Sequence, residues 1–349
     1  MSPKAKKVLS ALFITLSVAA VFIIAFSNPE MHNAWDAIRS LDLLWLAGLF
    51  GCWVAYVFFD SLGSFLCLRH QGFPLSMPTV VRIVLIGFYY SNITPGASGG
   101  QPMQVSSMRR CGVPVGNGTT VVTVRLIFNQ FMVSLISLVL LILNRGFVHE
   151  QLAGAIWFVR VGWLINFSVV PLVLLAAFRQ ELVRKLASWV IRLLSRIRVI
   201  RNRESAEERA ARVLDTYHTA VSNILRSPLR ILQQCLCSGL SLLGLTGSIV
   251  FVYHAFGMSG THWYHLLTLS FLLFVSASYT PLPGASGAQE GGFLYYFRNI
   301  FTGGTIGLAL LVWRFFTYYL FLFVGVFMLL ADKIALRRKT GHKDRMEES

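Results

Sequence analysis

Thr94-Pro95-Gly96-Ala97-Ser98-Gly99-Gly100-Gln101 returns later in the chain, almost unchanged, as Pro283-Gly284-Ala285-Ser286-Gly287-Ala288-Gln289. From Pro95 and Pro283 onward, six of seven positions are identical, at an offset of 188. A second match keeps the register. Arg125 lies 30 residues beyond Pro95 and Arg314 lies 31 beyond Pro283, each inside a long apolar run. Two matches in register argue for an internal duplication rather than chance. Each Pro-Gly break also ends a short apolar run, 79–94 and 264–280. Such runs fall short of the about 20 helical residues that cross ~30 Å of hydrocarbon.

The rest of the chain sets these breaks in a membrane. Of 349 residues, 55% are apolar and 13% charged, against about 25% charged in a soluble domain. The net charge is +16, with the basic residues lying between apolar runs, which speaks against nucleic acid as a partner. Six runs are long enough to span: 8–27, 43–66, 118–143, 155–178, 229–256 and 305–331. The first follows Lys4, Lys6 and Lys7 but ends in Ser27-Asn28-Pro29-Glu30, a poor cleavage site, and is read as a retained span. The five cysteines form no C-x-x-C pair or Cys/His cluster, so no metal site is expected; no cofactor is expected either.

Charge asymmetry orients the spans. Segments 1–7, 67–78, 109–117, 179–230 and 331–349 hold 24 Lys and Arg, whereas 28–42, 144–154 and 257–304 hold 3. The basic set is expected inside, with both termini cytoplasmic, in the cell membrane. Segments 67–78 and 109–117 then share one side, so the run between them must enter and return. By the same parity, 257–304 begins and ends outside. Each break becomes a re-entrant helical hairpin, the first open to the cytoplasm and the second to the exterior. The competing reading, a loop after a full span, spoils the charge rule.

The expected fold is an all-α polytopic membrane protein, a single integral domain over 1–349. It has about six full spans plus two re-entrant hairpins in an inverted repeat. Repeat 1 covers 43–143 with its hairpin at 79–110, and repeat 2 covers 229–331 with its hairpin at 264–300. A basic cytoplasmic segment (179–228) and tail (332–349) complete the chain. Inverted repeats with broken helices are typical of transporters whose substrate sits near the midplane. Backbone that is not helical at that depth must be buried in protein or line a wet cavity.

The motifs suggest an anion site. Pro95 and Pro283 stop the incoming helices, and Gly96 and Gly284 permit a tight reversal. The outgoing helices are expected to begin near Gly99 or Gly287, followed by Gly100 and Gln101 or by Gln289, with free N–H groups that favour an anion. Ser98 and Ser286 are candidates to cap those helices or to bind a phosphate oxygen. The bland alternative is that these small residues only let helices pack closely. Arg125 lies about 10 Å, and Arg314 about 13 Å, inside its span, where a charge faces a partner or a watery cavity. Guanidinium suits phosphate. The alternative is a buried pair with Asp60 or Glu290. Asp60 is also placed to reach water or move a proton, and Glu290 to carry a proton or meet a cationic headgroup. His254, His262 and His265 read as interfacial side chains. Walker, G-x-S-x-G and dinucleotide-binding motifs are missing.

The duplicated Pro-Gly-Ala-Ser-Gly hairpins, the intramembrane arginines and the length resemble the lysylphosphatidylglycerol synthase/flippase transmembrane family, the membrane part of the multiple peptide resistance factor. The likeness covers about 8 to 331. One departure is Gln101-Pro102, where related motifs often carry an acid. The resemblance implies antibiotic resistance through a flippase-like transporter that moves an anionic or aminoacylated phospholipid, such as lysylphosphatidylglycerol, between leaflets. Its substrate-binding residues would be Pro95, Gly96, Ser98, Gly99, Gly100, Gln101, Arg125, Pro283, Gly284, Ser286, Gly287, Gln289, Glu290 and Arg314. The alternative is phosphatidylglycerol lysyltransferase activity, or a membrane subunit of that enzyme. It needs a tRNA-binding synthase domain, and the longest polar stretch here, about 50 residues, is too small for one. The expected partners are therefore a membrane phospholipid and, for the alternative, a synthase domain in trans, with no nucleic acid bound directly. Association into a homo-oligomer stays open.

Overall fold

The computed structural model describes residues 41–178 and 226–330 except 303, with a few single positions between. The expected span 8–27, most of the basic segment 179–228 and the tail 332–349 lie outside the described residues. Every regular element described is helical. In chain order they are α1 (Leu43–His70), α2 (Met77–Ile93), α3 (Gly100–Arg110), α4 (Val115–Leu143) and α5 (Arg145–Leu152). Then come α6 (Ile156–Phe178), α7 (Pro228–Ala255), α8 (Trp263–Ala277), α9 (Ala288–Tyr296) and α10 (Ile306–Leu330).

Four of these, α1, α4, α7 and α10, are long and apolar enough to cross a membrane. The run expected to span over 155–178 does form α6, whose apolar stretch Ile156–Val169 is among the shorter helices. The long helices also turn large apolar side chains outward at helical spacing. Examples are Phe50, Val54 and Phe58 on α1, and Leu232, Leu236 and Leu240 on α7, all exposed. In water such stripes would be a liability; in hydrocarbon they are the solvated face.

Helix boundaries follow local chemistry. The Asp42 carboxylate accepts from Leu44 N–H at 2.8 Å to start α1. Pro78 and Pro228 sit in the first turns of α2 and α7, where a missing N–H costs nothing. α10 passes through a π-helical turn at Phe315–Tyr319, directly after Arg314.

The duplicated units each build a core. Cys67, Leu68, Ile83, Met108 and Val121 cluster within α1–α4. Ile249, Leu269, Phe293 and Trp313 cluster within α7–α10, joined by Val148 and Leu152 of α5. The units meet along α1 and α7, which run antiparallel and in register. Asp42 N–H donates to Ala255 O (3.3 Å) at one end. Ser241 Oγ donates to Tyr56 O (3.2 Å) in the middle, and Gln234 Nε2 donates to Gly63 O (2.9 Å) at the other end. Contact is close because Gly244 faces backbone: a Cβ there would lie 2.9 Å from Tyr56 N and 3.0 Å from Cys52 O. The corresponding first helices of the two units therefore point in opposite directions.

Candidate functional site

The two sequence copies make nearly the same turn. Pro95–Ala97 and Pro283–Ala285 are short 3-10 turns. Gly96 (φ 58°) and Gly284 (φ 60°) are left-handed, and so are Ala97 (φ 55°) and Ala285 (φ 50°). Left-handed backbone costs an L-residue about 1–2 kcal/mol, and the single alanine of each turn bears that cost, so it is met twice in one protein. Strain held in duplicate points to a constrained site.

The outgoing helices start where the sequence places them, at Gly100 and Ala288. Their serines do not cap them. Ser98 Oγ donates back to Pro95 O and Ser286 Oγ to Pro283 O, both at 2.9 Å. These bonds close each turn on itself. The free N–H groups find other acceptors. Gly99 N–H donates to Thr94 Oγ1 at 2.8 Å, and Gly287 N–H donates to Glu290 Oε2 at 2.6 Å. This explains Gln101-Pro102: the first tip uses the Thr94 hydroxyl where the second uses an acid. Thr94 escaped sequence reasoning, although Thr-Pro directly ahead of the motif was a visible signal.

Both arginines are buried and paired. Arg125 Nη2 contacts Asp60 Oδ1 at 2.6 Å, and its Nη1 donates to Ser238 Oγ (3.0 Å) and Gln234 Oε1 (3.3 Å). Arg314 Nε donates to Glu290 Oε1 at 2.7 Å, and its Nη2 donates to Gly284 O at 3.2 Å. The Arg314 guanidinium also lies 5.1 Å from the Tyr318 ring centre. Arg314 thus ties its own helix to the second tip twice, through Glu290 and through the glycine carbonyl. Glu290 and Asp60 each form the ion pair, and Asp60, 17% exposed, also opens onto the cavity described below. The histidines lie in ring stacks, His254 on Trp45 and His265 on Phe147.

The tips touch. Gly96 N–H donates to Pro281 O at 3.0 Å. Tyr318 of α10 donates to Asn92 O of α2 at 3.2 Å. Beside this junction lies a cavity of about 400 Å³ walled by both units. Of the residues expected at a site, Asp60, Gly96, Gly100, Gln101, Arg125, Gly284, Gln289 and Arg314 line it. Pro95, Ser98, Gly99, Pro283, Ser286, Gly287 and Glu290 are not among the lining residues and shape or brace the tips instead. Sequence reasoning missed Asn92, Gln104, Asn129, Trp313 and Tyr318, which also line the cavity. Gln104 is three residues after Gln101, and Asn129 four after Arg125. Each therefore shares a helix face with a residue already singled out.

The lysylphosphatidylglycerol synthase TM region is the family whose model matches this sequence, over residues 8–325. The chain belongs to that family. A UPF0104 membrane protein of Archaeoglobus fulgidus is 24% identical over 323 residues, covering 89% of this chain and 93% of that one. As a member of the lysylphosphatidylglycerol synthase TM region family, the chain carries both breaks and both arginines inside the matched residues. In this family member two carboxylates, Asp60 and Glu290, balance the charges of Arg125 and Arg314. The resident side chains therefore leave the cavity wall without a large net charge.

Proposed function

We propose that this protein is a flippase-like transporter, moving the headgroup of an anionic or aminoacylated phospholipid between leaflets of the cell membrane. The observation that carries this reading is the meeting of the two tips, Gly96 N–H on Pro281 O, beside a cavity to which both units contribute. A cavity of mixed polar and apolar lining between two units whose first helices point in opposite directions suits alternating access, in which one unit rocks against the other around a fixed site. In this reading α2–α3 and α8–α9 are re-entrant hairpins. The helices α1, α4, α6, α7 and α10, with 8–27, are the six spans, and both termini are cytoplasmic. The acyl chains stay in hydrocarbon while the headgroup passes the tips.

Arg125 and Arg314 are the charged donors for a phosphate. Binding requires each to share its carboxylate partner with the incoming anion. The Nε of Arg125 is buried against Gly63 and without a partner among the described residues, so the guanidinium must shift before that donor meets an anion. The test is translocation of a fluorescent phospholipid in reconstituted vesicles. Arg125→Ala and Arg314→Ala are expected to abolish it while each protein remains monodisperse. Unchanged rates in both would reject the reading.

One observation favours a second reading: the family's description names a synthase. Lysyl transfer would require purified protein, charged lysyl-tRNA and phosphatidylglycerol to yield lysyl-lipid, with or without added cell extract. No product under either condition removes that reading.

A further inference from the structure

The cavity wall carries five carboxamides: Asn92, Gln101, Gln104, Asn129 and Gln289. None of their side chains hydrogen-bonds to another described residue, and the Gln289 Oε1 atom is fully buried in that condition. Trp313, only 7% exposed and also on the wall, has its indole N–H buried without a partner. Carboxamides elsewhere behave otherwise. Asn117 donates to Gln71, Gln130 to Asn166, Asn144 to Thr268 and Asn299 to Gln151, with Gln233 Oε1 the exception. Gln101 is exposed and Asn92, Gln104, Asn129 and Gln289 are half-buried, so their amides stay open to whatever occupies the cavity, while the buried Gln289 Oε1 and Trp313 N–H are the groups that a folded protein seldom leaves unsatisfied. The backbone even makes room for one of them: a Cβ on Gly87 would collide with the Gln104 amide.

A carboxamide offers two donors and an acceptor and no charge. That is a poor match for a bare phosphate, which has only acceptors, and a good match for hydroxyls, which both give and take. Aromatic side chains complete the wall, with Tyr56, Phe88, Phe274 and Phe321 beside Trp313 and Tyr318. They suit the C–H face of a sugar or the carbon skeleton of a glycerol. The arginine charges are already balanced by Asp60 and Glu290, so net charge does not dominate selection. A cavity of about 400 Å³ lies in the range of small-ligand sites.

We infer that the cavity selects a polyhydroxylated lipid headgroup, a glycerol or a sugar, through hydrogen bonds from these carboxamides rather than through charge. This deepens the transport reading and rests on it for the ligand's being a lipid.

The experiment compares three diacyl lipids of identical chains with the full-length protein: phosphatidylglycerol, glucosyl-diacylglycerol and phosphatidic acid. Phosphatidic acid keeps the phosphate and lacks the polyol; the glucosyl lipid does the reverse. Binding in detergent is read by native mass spectrometry, and translocation in vesicles by dithionite quenching of labelled analogues. At least one polyol lipid is expected to bind and move about tenfold better than phosphatidic acid, the factor that roughly one lost hydrogen-bonding contact supplies. The better of the two identifies the source as glycerol or sugar, and a preference for the glucosyl lipid upholds the inference while replacing the phospholipid of the transport reading with a glycolipid. Gln104→Met and Asn129→Leu are expected to erase the preference without loss of monodispersity. Equal behaviour of all three lipids, or a preference that survives both variants, overturns the inference while leaving transport intact. A polyol preference in binding with no movement of any lipid upholds it and overturns transport instead.

Discussion

Gly96 gives its backbone N–H to the carbonyl oxygen of Pro281 at 3.0 Å, a bond from the first turn to the residue two ahead of the second motif. Both groups belong to segments whose helices have ended, so neither has a partner within a helix. The bond therefore satisfies the junction and sets the register of one hairpin against the other. Tyr318 makes the second crossing, from α10 to Asn92 O at 3.2 Å. Its ring is 2% exposed and is packed beneath Gly284. Tyr318→Phe keeps the ring and removes only the hydroxyl. It is expected to lower stability by about 1 kcal/mol, seen as a small fall in thermal midpoint in detergent, and to change translocation rate more than lipid binding.

The two turn glycines are alike in backbone and unlike in surroundings. A Cβ on Gly96 would meet open space, whereas one on Gly284 would run into the Tyr318 ring. Gly96→Ala is therefore expected to cost only the left-handed backbone term, about 1–2 kcal/mol. Gly284→Ala adds overpacking, about 1–3 kcal/mol more, and displaces Tyr318 from Asn92. Thermal unfolding of both variants side by side should show the second clearly less stable. Equal midpoints would remove the argument for tight packing under the second tip.

The buried ion pairs predict a similar inequality. Glu290 and Arg314 side chains are 5% and 4% exposed, while Asp60 is 17% exposed beside Arg125 at 8%. Removing one partner of a buried pair strands the other and costs about 3–5 kcal/mol. The partial exposure of Asp60 softens that penalty. Glu290→Gln, which can still accept from Gly287 N–H, is expected to destabilise more than Asp60→Asn. Adding Arg314→Met to Glu290→Gln should restore part of the loss, because the stranded charge is then gone. Chemical denaturation of the two single variants and this double variant measures both effects.

Much of this was legible in sequence where covalent or periodic constraints act alone. Pro95 and Pro283 end helices for reasons internal to the residue, and the apolar runs show where α1, α4, α7 and α10 lie. The 188-residue offset alone brings the tips into correspondence. What stayed hidden depends on neighbours distant in the chain. The hydroxyls of Ser98 and Ser286 can turn toward the outgoing helix or back to the proline, and only the local backbone decides. Glu290 takes on a capping role that Thr94 fills in the other copy, so aligning the copies does not reveal it. The carboxamides at 104 and 129 look like ordinary polar breaks until both units wall one cavity. The antiparallel seam of α1 on α7 was invisible as well, because Gly244 acquires meaning only when Tyr56 and Cys52 are opposite.

That seam supports the last prediction. Gly244 and Gly247 are three residues apart on α7, yet a Cβ at 244 would press on the α1 backbone while one at 247 would meet nothing within 4 Å. In a helix interior alanine is favoured over glycine by about 1 kcal/mol. Gly247→Ala should therefore be neutral or slightly stabilising. Gly244→Ala gains the same propensity and must push two backbones apart, because side-chain rotation gives no relief against Tyr56 N and Cys52 O. Since α1 and α7 also carry the Ser241–Tyr56 and Gln234–Gly63 bonds, separation at 244 loosens the seam in both directions and, with it, the hold of Gln234 on Arg125. The expected result is a lower thermal midpoint and weaker lipid binding for Gly244→Ala, with Gly247→Ala indistinguishable from the parent. Similar midpoints for the two variants would mean that the units do not depend on this close approach.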